Sequence, residues 1–348
     1  MRILLTSDPE IPVPPEFYGG VQRLVDSLLV NLKSRGHQVA LVAHPDSKSP
    51  ADQFFPWEGI RSQRFSDTIG NIKVLRKAVK TFRPDIIHSF SRLIYLLSVI
   101  ATPLPKVMSY GRSPSYRAVY MGAKLAGKSL TFAACSDHIR TTGELAGGQW
   151  KTIYNWIDIE KYKFESKVEP NAPLVFLSRV ERIKGAHTAI EIAKQTGKRL
   201  LIAGNYSNDG EEGHFWRSEI LPHLGLNGIE YIGAVNDQQK NELLGKASAM
   251  IVPIEWDEPF GMVFTESLAC GTPVISCPRG ALPEIVRQGI NGFLINSVEE
   301  GCQAVNNIAK IERFNCRQRV EELFSSEVII DQYENLYKKL IPNSTHEK

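Results

Sequence analysis

The sequence predicts an α/β protein made of two doubly wound domains in tandem. Three observations carry that expectation. Short runs of Ile, Leu, Val and Ala alternate with helical patterns along nearly the whole chain, Gly or Pro marks many of the junctions, and one charged stretch near the middle interrupts the rhythm. Strand, helix, strand in this order needs right-handed crossovers and gives a mostly parallel sheet covered on both faces. A chain of 348 residues suits two domains, each with its own core. Such sheets bind ligands at the carboxyl ends of their strands, so the two are expected to face each other across a cleft.

The elements follow in order. Arg2–Thr6 reads as a buried strand. Val21–Lys33 reads as a helix with Leu24, Val25, Leu28 and Leu32 on one face, and Gly36 closes it. Gln38–Ala43 is the next strand, Ile72–Phe82 the next helix, and Asp85–Ser89 a strand introduced by Pro84. Lys106–Ser109 and Thr131–Ala134 complete the first series. Between Asp158 and Ala172 the pattern lapses into Lys and Glu and ends at Pro170, which marks the expected linker. The second series contains strands at 174–177, 199–202, 229–231, 249–252 and 274–276, with helices at 186–195, 238–246 and 263–270. The predicted domains are 1–160 and 172–325. A last segment, 326–348, carries the helix Ser326–Leu340 and is expected to pack back on the first domain.

The most informative stretch runs from Glu258 to Ser276. Glu258 and Glu266 bracket Pro259-Phe260-Gly261-Met262-Val263, and Gly271-Thr272-Pro273 then leads into a buried strand. Pro259 can start a helix, because its missing N–H is one of the donors left unpaired there in any case. Gly261 allows close approach of the backbone. The N–H groups from about Phe260 to Val263, with the positive end of the helix dipole behind them, form a site for a phosphate or a hydroxyl-rich ligand.

Composition excludes several classes. Apolar content of 43% and charged content of 23% are ordinary for a globular protein. The five cysteines are scattered with no CxxC pair, which argues against a disulfide framework or a zinc site and suits a reducing cytosol. The N-terminus lacks a signal-peptide pattern and no run is long enough to span a membrane. The formal charge of +3 is too small to imply nucleic-acid binding. Lys73, Arg76, Lys77, Lys80 and Arg83 nevertheless share one helix. They form either a solvated face or a surface for anionic lipid or an acidic acceptor. The expected location is the cytoplasm, with peripheral contact at the inner face of a membrane as the second possibility. The segment 44–70, with Phe54, Phe55, Pro56 and Trp57, is read as a packed surface loop or an acceptor-side loop.

With these residues set out, the chain resembles a glycosyltransferase of family 4, whose architecture of two Rossmann-like domains is called GT-B. The likeness runs nearly end to end. It is carried by Gly19-Gly20-Val21-Gln22-Arg23, Arg35-Gly36-His37, Asn155-Trp156-Ile157-Asp158, the segment from Arg179 to Lys184-Gly185, Ala203-Gly204-Asn205, Tyr231-Ile232-Gly233, and the Glu-x7-Glu segment with Gly-Thr-Pro-Val-Ile after it. The resemblance implies transfer of a sugar, a hexose, from a nucleotide-sugar donor to a glycan, lipid or small-molecule hydroxyl, with retention of anomeric configuration. No Asp-x-Asp occurs, so no metal and no other cofactor is expected. Arg179 and Lys184 would neutralise the departing diphosphate. Glu258, with the N–H groups of Gly261, Met262 and Val263, would hold sugar hydroxyls, and Glu266 the ribose. Gly19 and Gly20 would let phosphate or the reacting sugar approach, although as residues they read equally as an ordinary turn. The base would lie near Gly204, Asn205 and Val235.

One departure is visible. Many relatives carry a histidine after the strand read here as Lys106–Ser109, and this chain has Tyr110-Gly111-Arg112 instead. Arg112, Tyr110 or His88 could replace it. The missing histidine also keeps open a catalytically silent nucleotide-sugar-binding partner subunit, and the fold itself leaves room for a sugar-nucleotide epimerase.

Overall fold

The structure, a computed structural model, describes residues 1–16 and 19–342. The chain forms two compact units, Met1–Asn155 together with Ser326–Lys348, and Trp156–Ser325.

The first unit holds strands β1 (Arg2–Thr6), β2 (Gln38–Ala43), β3 (Gln53–Pro56), β4 (Ile86–Ser89), β5 (Lys106–Tyr110), β6 (Leu130–Ala134) and β7 (Gln149–Thr152). They form one parallel seven-stranded sheet in the order β3-β2-β1-β4-β5-β6-β7. β1 lies inside the sheet, and Ile3, Leu4 and Leu5 are fully buried, as a strand covered on both faces must be. The second unit holds β8 (Leu174–Leu177), β9 (Leu200–Ala203), β10 (Ile229–Gly233), β11 (Ala249–Val252), β12 (Val274–Ser276) and β13 (Gly292–Leu294). Their order is β10-β9-β8-β11-β12-β13, again parallel throughout. In both sheets the winding direction reverses beside the first strand of the unit. The β1/β4 and β8/β11 junctions are therefore the two topological switch points.

The helix Ser326–Leu340 belongs to the first unit. It buries Ile329, Ile330, Tyr333 and Tyr337. Its Glu334 lies 3.0 Å from Arg35 Nη1 and 3.1 Å from His37 Nε2. Burial disfavours the Glu334 carboxylate, but hydrogen bonds from Lys338, Arg35 and His37 outweigh it and hold its pKa down at about 2.

Three differences from the sequence reading have physical reasons. β3, β7 and β13 were not anticipated; β3 and β7 are sheet edges with exposed polar positions, and β13 has only three residues. The helix expected from Ile72 begins at Phe65. There Asn71 clamps the preceding turn, its side chain accepting from Gly59 N and donating to Gly59 O. The stretch 158–172 is not a free linker. Lys163 N donates to Asn241 Oδ1, Glu165 N to Cys270 O, and the Arg313 guanidinium to Glu165 O, so this charged segment is fastened to the second unit. The segment 44–70 is likewise built in: Phe54 and Phe55 lie on β3, and buried Trp57 donates to Ser7 O at 2.8 Å.

Candidate functional site

The loops following β8, β9, β11 and β12 converge at the switch point of the second sheet. After β8, Val180 N donates to Asn205 O at 2.8 Å, and Glu255 N, after β11, donates to Ile183 O at 2.8 Å. Two glycines permit this convergence. A Cβ on Gly204 would stand 1.9 Å from Ser178 O, and one on Gly185 would stand 2.0 Å from Pro253 O. Either substitution would force the loops apart.

The convergence carries Lys184 inwards. Its side chain is buried, and Nζ lies 2.7 Å from Glu258 Oε2 and 4.5 Å from the centre of the Trp256 ring. Trp256 Nε1 donates to the same Glu258 oxygen at 3.1 Å. A lysine 74 residues away in sequence thus fixes the first glutamate of the bracketed segment. An ammonium has three donors, so Lys184 keeps two for a ligand after binding Glu258. The helix Met262–Ala269 begins directly beyond, behind Gly261 at φ 84°, a left-handed conformation that glycine adopts without strain. Phe264 N turns back to Gly261 O, and the N–H groups of Met262 and Val263 open the helix without intrahelical partners. Phe260 is buried with its ring 5.6 Å from that of Phe324. Its side chain anchors the loop in the core, and its backbone is the part that reaches the helix start.

Glu266 is buried about one helical turn beyond Met262. Its Oε1 accepts from the Tyr162 hydroxyl and from Lys240 Nζ, both at 2.8 Å. Burial works against the Lys240 ammonium, but Glu266 and Asp237 outweigh it and raise its pKa above the ordinary lysine value. Burial and the same carboxylate raise the Tyr162 hydroxyl far above its ordinary value, so it stays a donor. Sequence reasoning missed Lys240, Tyr162 and Trp256. Tyr162 lay in the stretch read as linker, and Lys240 looked like a surface residue of a polar helix.

The remaining donor-side residues are arranged more loosely. Arg179 sits at the carboxyl end of β8 but is exposed, and its guanidinium pairs with Glu181 at 2.5 Å rather than with Glu258. Gly204 and Asn205 follow β9, with the Tyr231 hydroxyl donating to Gly204 O at 2.8 Å. Val235 is half-buried beyond β10. Beside them Tyr206 stacks on Trp216, with ring centroids 3.9 Å apart.

The first unit places its candidates differently. His88, on β4, is completely buried. Its Nδ1 lies 2.5 Å from the Tyr337 hydroxyl and its Nε2 2.7 Å from the Ser109 hydroxyl. Burial pushes its pKa down to about 3. This corrects the reading of His88 as a sugar or acceptor contact: the ring is neutral, both nitrogens are occupied, and it joins β4 and β5 to the C-terminal helix. Tyr110 is also drawn inwards, its ring 5.8 Å from that of Trp150, and burial raises its hydroxyl to about 12. Arg112 is exposed in the loop after β5. Near it, at the end of β1, stands Asp8, which the sequence did not single out. Burial raises the Asp8 carboxyl above its ordinary value, against the Glu10 N–H and the charges of Arg112 and Arg92. Gly19 is the buried residue before the helix Gly20–Ser34, and Gly20 is its exposed first residue. Among the described residues, no group of three or more His, Cys, Asp or Glu is placed to hold a metal ion.

Comparison with known proteins gives consistent matches. Residues 18–161 match the family model described as Glycosyltransferase Family 4, and residues 158–321 match that described as Glycosyl transferases group 1. A glycogen synthase of Mycobacterium tuberculosis (strain ATCC 25618 / H37Rv) is 25% identical over 347 residues, covering 84% of this chain and 81% of the relative. Among solved structures, a glycosyltransferase from Rickettsia africae ESF-5 is similar with a TM-score of 0.81 at 18% identity, covering 99% of both chains. Anabaena Alr3699/HepE in complex with UDP-glucose is similar with a TM-score of 0.72 at 20% identity, covering 97% of this chain and 100% of the other. At these identities the structures show a shared two-sheet GT-B fold.

Proposed function

Since the chain belongs to the group 1 glycosyltransferases of family 4, enzymes that move a sugar from a nucleotide-sugar donor, we propose that it transfers a hexose, with retention and without a metal ion, to a hydroxyl of a glycan, lipid or small-molecule acceptor. The observation that carries this reading is the buried Lys184–Glu258 pair, 2.7 Å apart, at the switch point of the second sheet. In the proposed reaction the bond from the sugar's anomeric carbon to the diphosphate oxygen breaks. A bond to the acceptor oxygen forms on the same face, and the acceptor's proton passes to the departing phosphate. Negative charge grows on the diphosphate, and fixed positive groups in a dehydrated site stabilise it without rearranging. Lys184 supplies the principal positive charge, with the Met262 and Val263 N–H groups behind Gly261 adding the helix-dipole end. Arg179 becomes a second cation by leaving Glu181, which costs little because its guanidinium is exposed. Glu258 holds Lys184 through Oε2 and offers Oε1 to sugar hydroxyls. Glu266, steadied by Lys240 and Tyr162, accepts from the ribose.

UDP-hexoses are the first donors to test, because a structure of similar fold holds UDP-glucose. The test is release of nucleoside diphosphate from UDP-, GDP- and ADP-hexoses in the presence of a chelator. Turnover of one donor is expected. Activity abolished by chelator and restored by magnesium or manganese would remove the metal-free reading.

A further inference from the structure

The helix Phe65–Phe82, the turn Leu93–Ser98 and the helix Tyr116–Ala126 lie side by side in the first unit. Ser98 Oγ donates to Ile72 O at 3.2 Å, and a Cβ on Gly122 would stand 2.7 Å from Leu93 Cδ2. The three are therefore one layer with a common outer side. That outer side has an unusual composition. Tyr120, Met121 and Leu125 are 48%, 52% and 47% exposed, and Leu97 on the turn is 52% exposed. On the first helix, exposed Phe65 and Ile69 continue into Lys73, Arg76 and Lys80 along one stripe, as spacings of three and four residues require. Exposed Arg117, Lys124 and Lys128 flank the apolar residues of the third element.

Carboxylates are nearly missing from this layer. From Ile86 to Ser136 the sequence contains no Asp or Glu. Asp67 is turned into its own turn, accepting from Arg61 N at 3.1 Å, and Glu58 stands at the border beside Gly70. An ordinary solvated face mixes both signs of charge and does not present a helix with Tyr, Met and Leu outermost.

From this arrangement we infer that the layer is a docking surface for an anionic lipid bilayer. Tyr116, Tyr120, Met121 and Leu125 enter the interface between headgroups and acyl chains, where amphipathic rings and aliphatic side chains are stable. Lys73, Arg76, Lys80 and Lys124 meet the headgroup charge, their aliphatic stems lying along the apolar surface. Among the described residues no helix is long and apolar enough to cross a membrane, so the contact is peripheral. This surface belongs to the first unit and Lys184 to the second, and it does not depend on the donor chemistry proposed above.

The test is flotation of the purified full chain with vesicles of mixed phosphatidylglycerol and phosphatidylcholine, and with vesicles of phosphatidylcholine alone. Binding to the mixed vesicles is expected to be lost at high salt. Each basic residue in contact contributes separately, so the Lys73→Glu/Arg76→Glu/Lys80→Glu variant should bind roughly tenfold or more weakly. Tyr120→Ser/Leu125→Ser should weaken binding at low salt, where every basic residue is still present and unscreened; both variants alter only exposed side chains, and their thermal unfolding checks that they fold. Equal binding to both vesicle types, no binding to either, or insensitivity to both variants would overturn the inference. So would a dimer in solution that Tyr120→Ser/Leu125→Ser dissociates, since a second copy would then cover the face.

Discussion

The two sheets wind in the same order around their first strands, yet their switch points hold opposite chemistry. Behind β8 and β11 stand two largely buried ion pairs, Lys184 with Glu258 and Lys240 with Glu266, in each of which one partner is buried and the other half-buried. Around β1 and β4 the fully buried positions carry neutral hydroxyls and an uncharged imidazole: Thr6, Ser89 and Ser91 share a hydrogen-bonded cluster, His88 is tied between Ser109 and Tyr337, and the charged groups there, Asp8 with Arg92 and Arg112, stand in the more exposed loops beyond the strands. Charges are costly to bury, and a protein that buries them in a loop-lined site places them where a charged ligand arrives. The topology provides two crevices. In the proposed reaction the diphosphate is bound at the second and the acceptor hydroxyl at the first.

The sharpest way to break this contrast is mutation of one residue on each side. Lys184→Ala should lower kcat for the best donor by roughly two to three orders of magnitude, the loss seen when one group stabilising a developing charge is removed. His88→Ala should instead destabilise the fold, by about 2–4 kcal/mol, through a cavity and a buried Tyr337 hydroxyl left without its imidazole partner, while Ser109 keeps the Tyr333 hydroxyl. Urea unfolding and activity per folded molecule separate the two effects; comparable kcat losses in both variants would dissolve the distinction.

A titration of stability sharpens the same point. The folded pKa of His88 is about 3, against an ordinary value of 6.5. Its contribution is therefore complete above pH 6.5 and lost as pH falls, because the unfolded chain takes up a proton that the folded chain refuses. Between neutral pH and pH 5 the expected loss is about 2 kcal/mol. His88→Gln should flatten that part of the profile, and an unchanged slope would place the titration elsewhere.

Smaller effects grade the second site from within. Glu266→Ala should weaken nucleoside-diphosphate binding by roughly tenfold, as loss of hydrogen bonds to a charged group does. Arg179→Ala should cost less than Lys184→Ala, because Arg179 is exposed and already paired with Glu181. Calorimetry with the diphosphate and steady-state kinetics give both values. An Arg179 effect larger than that of Lys184 would reverse their assigned weights.

Much of this contrast was readable from the amino acids alone, for reasons that differ by element. The inner strands β1, β2, β8 and β11 announce themselves because burial on both faces demands uninterrupted apolar runs. Edge strand β3 does not, since it ends on Pro56 and exposes Gln53 and Phe54. At the site, Lys184, Glu258, Gly261 and Glu266 stand in motifs with a mechanical meaning. Tyr162 and Lys240 stand in none; they reach Glu266 across 104 and 26 residues of sequence. The charged composition of 158–172 suggested solvent, whereas its backbone is held by Arg313 and Arg317 from within the second unit. His88 shows the converse error. A histidine at a strand end looks available for chemistry until tertiary packing occupies both of its nitrogens.

In the proposed reaction a buried lysine, rather than a metal ion, receives the diphosphate. The most direct test of this step is calorimetric titration of UDP, GDP and ADP into the wild type and Lys184→Met, all in chelator. At least one diphosphate should bind the wild type, and the variant should bind it at least roughly tenfold more weakly. Equal affinity in the two proteins, or wild-type binding that appears only when a divalent cation is added, would contradict the account.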